Sequence, residues 1–190
     1  MVERIRPALA WFDQAEAKLC LALNRIRRRP LLGDLFRVVS RISDGMCWYV
    51  LLAIFPVFHG WTGVWATLHM GIVALIGVAV YKGLKKQATR ERPYITHESI
   101  DLAGAPLDRY SFPSGHTMHA VAFTMLAAWH VPLWLLPLAA FGILVALSRV
   151  VLGLHYPTDV LAGGLVGGIL ASASIGIVAF AGRLLAPIPG

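Results

Sequence analysis

The amino-acid sequence predicts an all-α fold, a polytopic membrane helix bundle of about five spans with an N-terminal interfacial helix. Hydrophobic residues make up 57% of the 190 residues and charged residues 14%, whereas a soluble domain carries about 25% charged residues. Three stretches, 45–81, 110–148 and 160–182, contain no Asp, Glu, Lys or Arg. Because a spanning helix needs about 20 mostly apolar residues, the last stretch fits one span and the first two fit two each.

Glycine and proline residues divide the two longer stretches into predicted helical hairpins. Gly60 and Gly63 interrupt the first stretch, and Pro132 and Pro137 interrupt the second. The five predicted spans are 45–59, 62–84, 116–132, 134–153 and 158–181.

Residues 1–44 are predicted to form an amphipathic or interfacial segment. Three charged residues interrupt its apolar stretch, and each would cost about 2.5–3.5 kcal/mol at the centre of an inserted helix. They are Asp13, Glu16 and Lys18. We therefore expect a helix that lies on the membrane surface. The amphipathic run 35–42 is expected to extend the short first span towards the N-terminus.

The last predicted span carries four glycines in two pairs with small-xxx-small spacing. The pairs are Gly163 with Gly167 and Gly164 with Gly168. Such spacing lets two helix backbones approach closely, so we expect the last helix to pack tightly on a neighbour.

Three polar motifs lie in the connections between the predicted spans. They are K-x-x-x-x-x-x-R-P from residue 85, P-S-G-H from residue 113 and S-R-x-x-x-x-x-H-x-x-x-D from residue 148. An even number of predicted crossings separates the motifs, so they share one membrane face. The residues on that face are Lys85, Arg92, Ser114, His116, Arg149, His155 and Asp159.

This set of residue types is suited to binding and hydrolysing a phosphate. Three cations favour a multiply charged anion, and arginine forks match phosphate oxygens. Ser114-Gly115, directly before an apolar helix, adds backbone N–H donors at a helix N-terminus. One histidine can attack phosphorus while the other protonates the leaving oxygen. Asp159, four residues after His155, can orient that ring.

The three motifs, complete and in this order over residues 85–159, resemble the type 2 phosphatidic acid phosphatase superfamily. The resemblance implies that His155 is the nucleophile that forms a phosphohistidine, that Asp159 orients it and that His116 is the general acid. It assigns phosphate binding to Lys85, Arg92, Ser114, Gly115 and Arg149. It also makes 45–185 the membrane phosphatase domain, with an active-site loop over 85–115.

The resemblance implies that the reaction needs no metal and no other cofactor. The residues agree, because three fixed positive charges would repel a divalent cation and the sequence contains no HExxH pattern. We expect the partners to be the bilayer and a lipid phosphate, with no nucleic acid. The sequence leaves the oligomeric state open.

The predicted function is hydrolysis of a lipid phosphate or pyrophosphate, of the phosphatidic acid, phosphatidylglycerophosphate or undecaprenyl pyrophosphate class. The alternatives are a lipid A phosphatase and a phosphatase of a soluble ester. A transporter or channel would place charged residues within its spans, and a purely structural membrane protein would leave the motifs unexplained.

We expect a bacterial inner-membrane protein, and the basic residues predict that its active site lies on the cytoplasmic face. The motif-bearing face carries ten further basic residues, whereas the opposite face carries Arg183 alone, or three if Arg4 and Arg6 cross with the N-terminal helix. Cytoplasmic loops are enriched in Lys and Arg. The family resemblance implies the opposite, periplasmic face. The ten are Arg25, Arg27, Arg28, Arg29, Arg37, Arg41, Lys82, Lys86, Arg90 and Arg109. We expect Lys82, Lys86 and Arg90 to be membrane anchors.

Overall fold

The computed structural model describes the backbone of residues 2–106 and 108–185 and the side chains of residues 13–106 and 108–184. Over these ranges the regular structure is helical, so the predicted all-α bundle is confirmed. The α-helices are α1 (Val2–Asn24), α2 (Pro30–Ile42), α3 (Met46–Gln87), α4 (Pro93–Thr96), α5 (Gly115–His130), α6 (Leu135–Val151) and α7 (Pro157–Leu185).

The helix α3 is a hairpin, because its chain reverses direction at Gly60. This residue has φ 53° and ψ −131°, a conformation that glycine adopts without steric cost. Thr67 Oγ1 donates a hydrogen bond of 2.9 Å to the carbonyl oxygen of Leu52, although a continuous helix would separate these residues by about 22 Å. The two arms, 46–59 and 61–87, agree with the first two predicted spans.

Three helical segments are long and apolar enough to cross a membrane, namely Met46–Gln87, Pro132–Val151 and Pro157–Leu184. The first of them supplies both arms of the hairpin. α5 has 16 residues and is therefore about 24 Å long, somewhat less than the hydrocarbon thickness of about 30 Å. It is the central helix of the bundle and packs against α3, α6 and α7.

The glycines of α7 allow this helix to lie directly against the backbone of α5. A Cβ at Gly163 would lie 2.3 Å from the carbonyl oxygen of Ser114, and a Cβ at Gly167 would lie 2.2 Å from that of Met118. Only glycine fits at this separation, which confirms the predicted close packing. The contact also holds the start of α5, with the P-S-G-H motif, beside the start of α7.

The N-terminal helix covers the end of the bundle that carries the motifs. α1 packs against α6 and α7, and its last residue, Asn24, is buried. The Asn24 side-chain amide donates to the carbonyl oxygens of Asp101 at 3.0 Å and Val151 at 2.9 Å. These bonds fix α1 to the bundle through backbone groups that would otherwise lack a partner.

The expected extension of the first span into residues 35–42 is wrong. α2 ends at Ile42, and Gly45, with φ 134°, separates it from α3. α2 packs against α6 instead, burying Phe36 and Val39 on its apolar side. It is therefore a separate amphipathic helix, and the turn after it brings Asp44 to the motif-bearing end of the bundle.

Substituting Gly167 with alanine should force α5 and α7 apart, because the new methyl group would meet the Met118 carbonyl oxygen. We expect a loss of about 1–3 kcal/mol in the free energy of unfolding, measured by thermal unfolding in detergent. Gly176→Ala is the matched control, since a Cβ at Gly176 meets nothing within 4 Å and alanine favours helix. Equal stability of the two variants would contradict the close packing.

Candidate active site

The motif residues converge at one end of the bundle, where four of the ionisable ones are almost fully buried. Arg92 and Arg149 are 1% exposed, His155 is 2% exposed and Asp159 is fully buried. Charged side chains are rarely buried unless they are paired or bind a ligand. The partners of each residue therefore indicate what this site can do.

His155, in the connection between α6 and α7, presents its Nε2 to a guanidinium group. Arg92 Nη1 lies 3.2 Å from this nitrogen and also donates to the carbonyl oxygen of Leu154 at 2.8 Å. Because a guanidinium has only donors, His155 Nε2 accepts this bond, and the ring proton resides on Nδ1. The lone pair of the predicted nucleophile thus points towards the cations.

The protonation state of His155 follows from its surroundings. Burial, together with the positive charges of Arg149, Arg92 and Lys85, holds the pKa of His155 well below its usual value. The imidazole is therefore neutral at physiological pH, as a nucleophile requires.

Asp159 lies beside His155 without bonding to it. The distance from His155 Nδ1 to Asp159 Oδ2 is 3.7 Å, too long for a hydrogen bond, and Nδ1 has no partner among the described residues. Asp159 Oδ2 instead accepts a bond of 2.8 Å from the backbone N–H of Tyr156. Asp159 is thus adjacent to His155 but not bonded to it, and its orienting role stays a prediction. Catalytic bonds are often long before substrate binds.

Two of the three predicted phosphate-binding cations share one carboxylate. Asp108 lies 2.6 Å from Lys85 Nζ and 2.9 Å from Arg92 Nη2, and it accepts a bond of 2.9 Å from Tyr81 Oη. Burial alone would raise the pKa of Asp108. The positive charge of Lys85 and the hydrogen bonds from Lys85, Tyr81 and Arg92 outweigh the effect of burial, so the pKa of Asp108 is lowered. Asp108 is thus an ionised counter-ion at the place where these cations would hold a phosphate.

The third cation, Arg149, retains an unused donor. Its Nη1 donates to Ser40 Oγ of α2 at 2.5 Å, but its buried Nε has no partner within the described part of the chain. Buried donors without a partner are rare and call for an explanation. A bound anion would supply the missing acceptor. We refer to Lys85, Arg92 and Arg149 below as the cation cluster.

His116, on the first turn of α5, is paired with an acid from the turn after α2. Its Nε2 lies 2.5 Å from Asp44 Oδ1. Burial disfavours the charged form of Asp44, yet the hydrogen bond and charge of His116 and the charges of Arg149 and Arg41 lower its pKa overall. An ionised carboxylate therefore holds the predicted general acid in position.

The start of α5 lies next to the other motifs, as predicted for a phosphate cradle. The backbone N–H of Ser114 donates to the carbonyl oxygen of Asp159 at 2.9 Å. The Ser114 hydroxyl pairs with that of Thr117 at 3.1 Å. A Cβ at Gly115 would lie 2.9 Å from the Tyr81 ring, which explains the need for glycine.

Arg90 is not the membrane anchor that the sequence indicated. Its Nη1 lies 3.1 Å from Asp159 Oδ1, and its Nη2 lies 2.5 Å from Glu16 of α1. Glu16 also accepts a bond of 2.8 Å from the backbone N–H of Thr158 at the start of α7. The N-terminal helix therefore reaches the Asp159 carboxylate through one arginine. Lys82 and Lys86 are exposed.

The sequence motifs do not reveal several of these site residues, because they lie outside the motifs or at their variable positions. They are Glu16, Ser40, Asp44, Arg90 and Asp108. Among the described residues, no group of three or more His, Cys, Asp or Glu side chains is arranged to hold a metal ion.

Comparison with known proteins finds a relative that matches about half of the chain. The chain is 34% identical over 103 residues to the undecaprenyl-diphosphatase BcrC of Bacillus subtilis, covering 54% of this chain and 52% of that protein. The match thus spans about half the length of this relative.

Two solved structures share the fold. The structure of LpxE from Aquifex aeolicus superposes with a TM-score of 0.74 at 25% identity, covering 84% of this chain and 93% of that one. A PAP2-type phosphatidylglycerolphosphate phosphatase from Bacillus subtilis superposes with a TM-score of 0.63 at 25% identity, covering 90% of this chain and 87% of that one.

The family model of the PAP2 superfamily matches residues 63–183, which include all three motifs. This match confirms the resemblance inferred from the motifs. The chain belongs to the PAP2 superfamily.

Proposed function

We propose that this protein is an integral membrane phosphatase that hydrolyses a lipid phosphate or pyrophosphate through a phosphohistidine, without a metal. The observation that carries the proposal is the buried, neutral His155, whose Nε2 faces Arg92 at 3.2 Å within a cluster of cations. The names of the relatives, an undecaprenyl-diphosphatase and a phosphatidylglycerolphosphate phosphatase, support a substrate of this class. Helices long enough to span the bilayer support a substrate whose tail stays in the membrane.

In the first step, His155 Nε2 attacks the phosphorus and the bond from phosphorus to the leaving oxygen breaks. The leaving oxygen keeps the electron pair and takes a proton from His116, which Asp44 holds at 2.5 Å. The cation cluster binds the equatorial oxygens, with Ser114 and the backbone N–H of Gly115 completing the cradle. Positioning and charge stabilisation supply most of the rate in such a transfer.

In the second step, water attacks the phosphohistidine and the bond from phosphorus to nitrogen breaks. His116, now neutral, accepts a proton from the water. Inorganic phosphate leaves and His155 returns to its neutral form, with its Nδ1–H directed at Asp159. Because the cation cluster balances the charge of the phosphoryl group, this scheme requires no divalent ion.

The site belongs to the membrane domain, residues 45–185, and is completed by the N-terminal segment, residues 1–44. Ser40 and Asp44 contact Arg149 and His116, and α1 contacts the Arg90–Asp159 pair through Glu16. The N-terminal segment thus contributes to the proposed reaction in addition to lying at the membrane surface.

The His155→Ala variant should lose at least about 1,000-fold in turnover, the scale seen when a catalytic nucleophile is removed. Phosphate release would be measured in detergent with a chelator present, on phosphatidic acid, phosphatidylglycerophosphate, undecaprenyl pyrophosphate and lipid A. Labelled substrate quenched in alkali should leave phosphate on the wild type and none on the variant.

The matched control is His59→Ala, since His59 bonds Trp134 at the opposite end of the bundle and its loss should leave turnover within a few-fold. Label retained on the His155 variant would place the nucleophile elsewhere. A wild type that is folded but inactive on all four lipids would refute the proposed function.

We also propose that the site faces the cytoplasm in a bacterial inner membrane, on the basis of the ten basic residues that share its face. A cysteine at Thr96, an exposed residue near the site, would report on this in a background with both native cysteines replaced by alanine. It should resist a membrane-impermeant maleimide in intact spheroplasts and react after lysis. Labelling before lysis would place the active site on the periplasmic face.

A further inference from the structure

An open groove of about 690 Å³ lies between α2 and the loop 102–105, at the edge of the candidate active site. Arg37, Ser40 and Arg41 line it from one side, because residues three and four apart share a helix face. Asp44, in the turn after α2, continues this wall.

Two residues of this wall touch the catalytic machinery. Ser40 Oγ accepts the bond of 2.5 Å from Arg149, and Asp44 binds His116 at 2.5 Å. Neither His155 nor His116 lines the groove itself. Through Asp44 the groove adjoins the proposed general acid, and through Ser40 it adjoins Arg149.

The direction of the proposed reaction determines which part of the substrate meets this groove. In an in-line transfer the leaving oxygen departs on the face of phosphorus opposite the attacking nitrogen. The phosphoryl group passes to His155, and the leaving oxygen takes its proton from His116. The leaving group must consequently lie near His116, whose partner Asp44 lines the groove.

The charges of the groove distinguish one kind of leaving group from another. Arg37 is paired with Asp34, and Asp44 is paired with His116. Arg41 forms no salt bridge with any described side chain, and its positive charge acts on Asp44. A neutral alcohol offers nothing to this guanidinium, whereas a second phosphate offers a charged acceptor.

We propose that Arg41, assisted by Arg37, binds a second phosphate on the leaving-group side of the substrate. The protein would then favour lipids whose leaving group keeps a phosphate after the terminal phosphoryl group is removed. Such a phosphate is either the inner phosphate of a lipid diphosphate or the phosphodiester of a phospholipid with a terminal phosphate. This inference rests on the proposed phosphatase function and narrows its substrate class.

The test compares two matched pairs of substrates that differ in the second phosphate. Farnesyl diphosphate is paired with farnesyl monophosphate, and phosphatidylglycerophosphate is paired with phosphatidic acid. The kcat/KM of the purified full-length protein is measured for each, and the preference within each pair is expressed as a ratio.

The Arg41→Gln variant should reduce this ratio in at least one pair by roughly 10-fold or more, because it removes a charge-assisted hydrogen bond. Arg37→Gln combined with Arg41→Gln should reduce it further. Arg29→Gln is the matched control, since Arg29 is exposed on the same face but does not line the groove. Its ratios should equal those of the wild type.

If the preference ratio falls in the prenyl pair alone, the ligand of Arg41 is the inner phosphate of a diphosphate. If the ratio falls in the phospholipid pair alone, the ligand is the phosphodiester. An equal loss on both members of each pair, or no loss at all, would overturn the second-phosphate site. If the folded wild type hydrolyses none of the four substrates, the proposed function itself fails, which is a separate result. Thermal unfolding of each variant confirms that the comparison is made on folded protein.

Discussion

The burial of two guanidinium groups beside a neutral histidine is the constraint on which the rest of the structure depends. Arg92 and Arg149 are each 1% exposed, and removing such charges from water costs several kcal/mol unless acceptors replace the solvent. Asp108, Ser40 and backbone carbonyls supply some of these acceptors. Arg149 Nε has none in the described structure, and a bound anion would supply this acceptor.

The fold places these groups by close packing at the ends of helices. The glycines of α7 let the start of α5 lie against the start of α7, which positions His116 and Ser114 near Asp159. The N-terminal helices then close the site from outside, since α1 contacts Arg90 and α2 contacts Arg149. The N-terminal segment and the membrane bundle thus both contribute to one site, because each supplies a counter-charge or a hydrogen bond that a buried ion requires.

The membrane bundle and the motif residues could be predicted from the sequence, because charge-free stretches and fixed motif spacing are local features. The helices of the bundle begin and end within a few residues of the predicted spans. The partners of the site residues could not be predicted, since Asp44 and Asp108 reach His116 and Arg92 across 72 and 16 residues of chain. Glu16 likewise reaches Arg90 across 74 residues. For the same reason the role predicted for Arg90 is wrong, since a basic residue near a helix end usually meets the membrane surface.

A structure of the protein with bound vanadate would test the central claim most directly, because vanadate imitates the transition state of phosphoryl transfer. The account predicts a bond from vanadium to His155 Nε2, with Arg92 and the free Nε of Arg149 donating to the equatorial oxygens. It also predicts that Lys85 exchanges Asp108 for a vanadate oxygen and that the apical oxygen opposite His155 lies beside His116. Vanadium bonded to His116, or bound away from the cation cluster, would contradict the account.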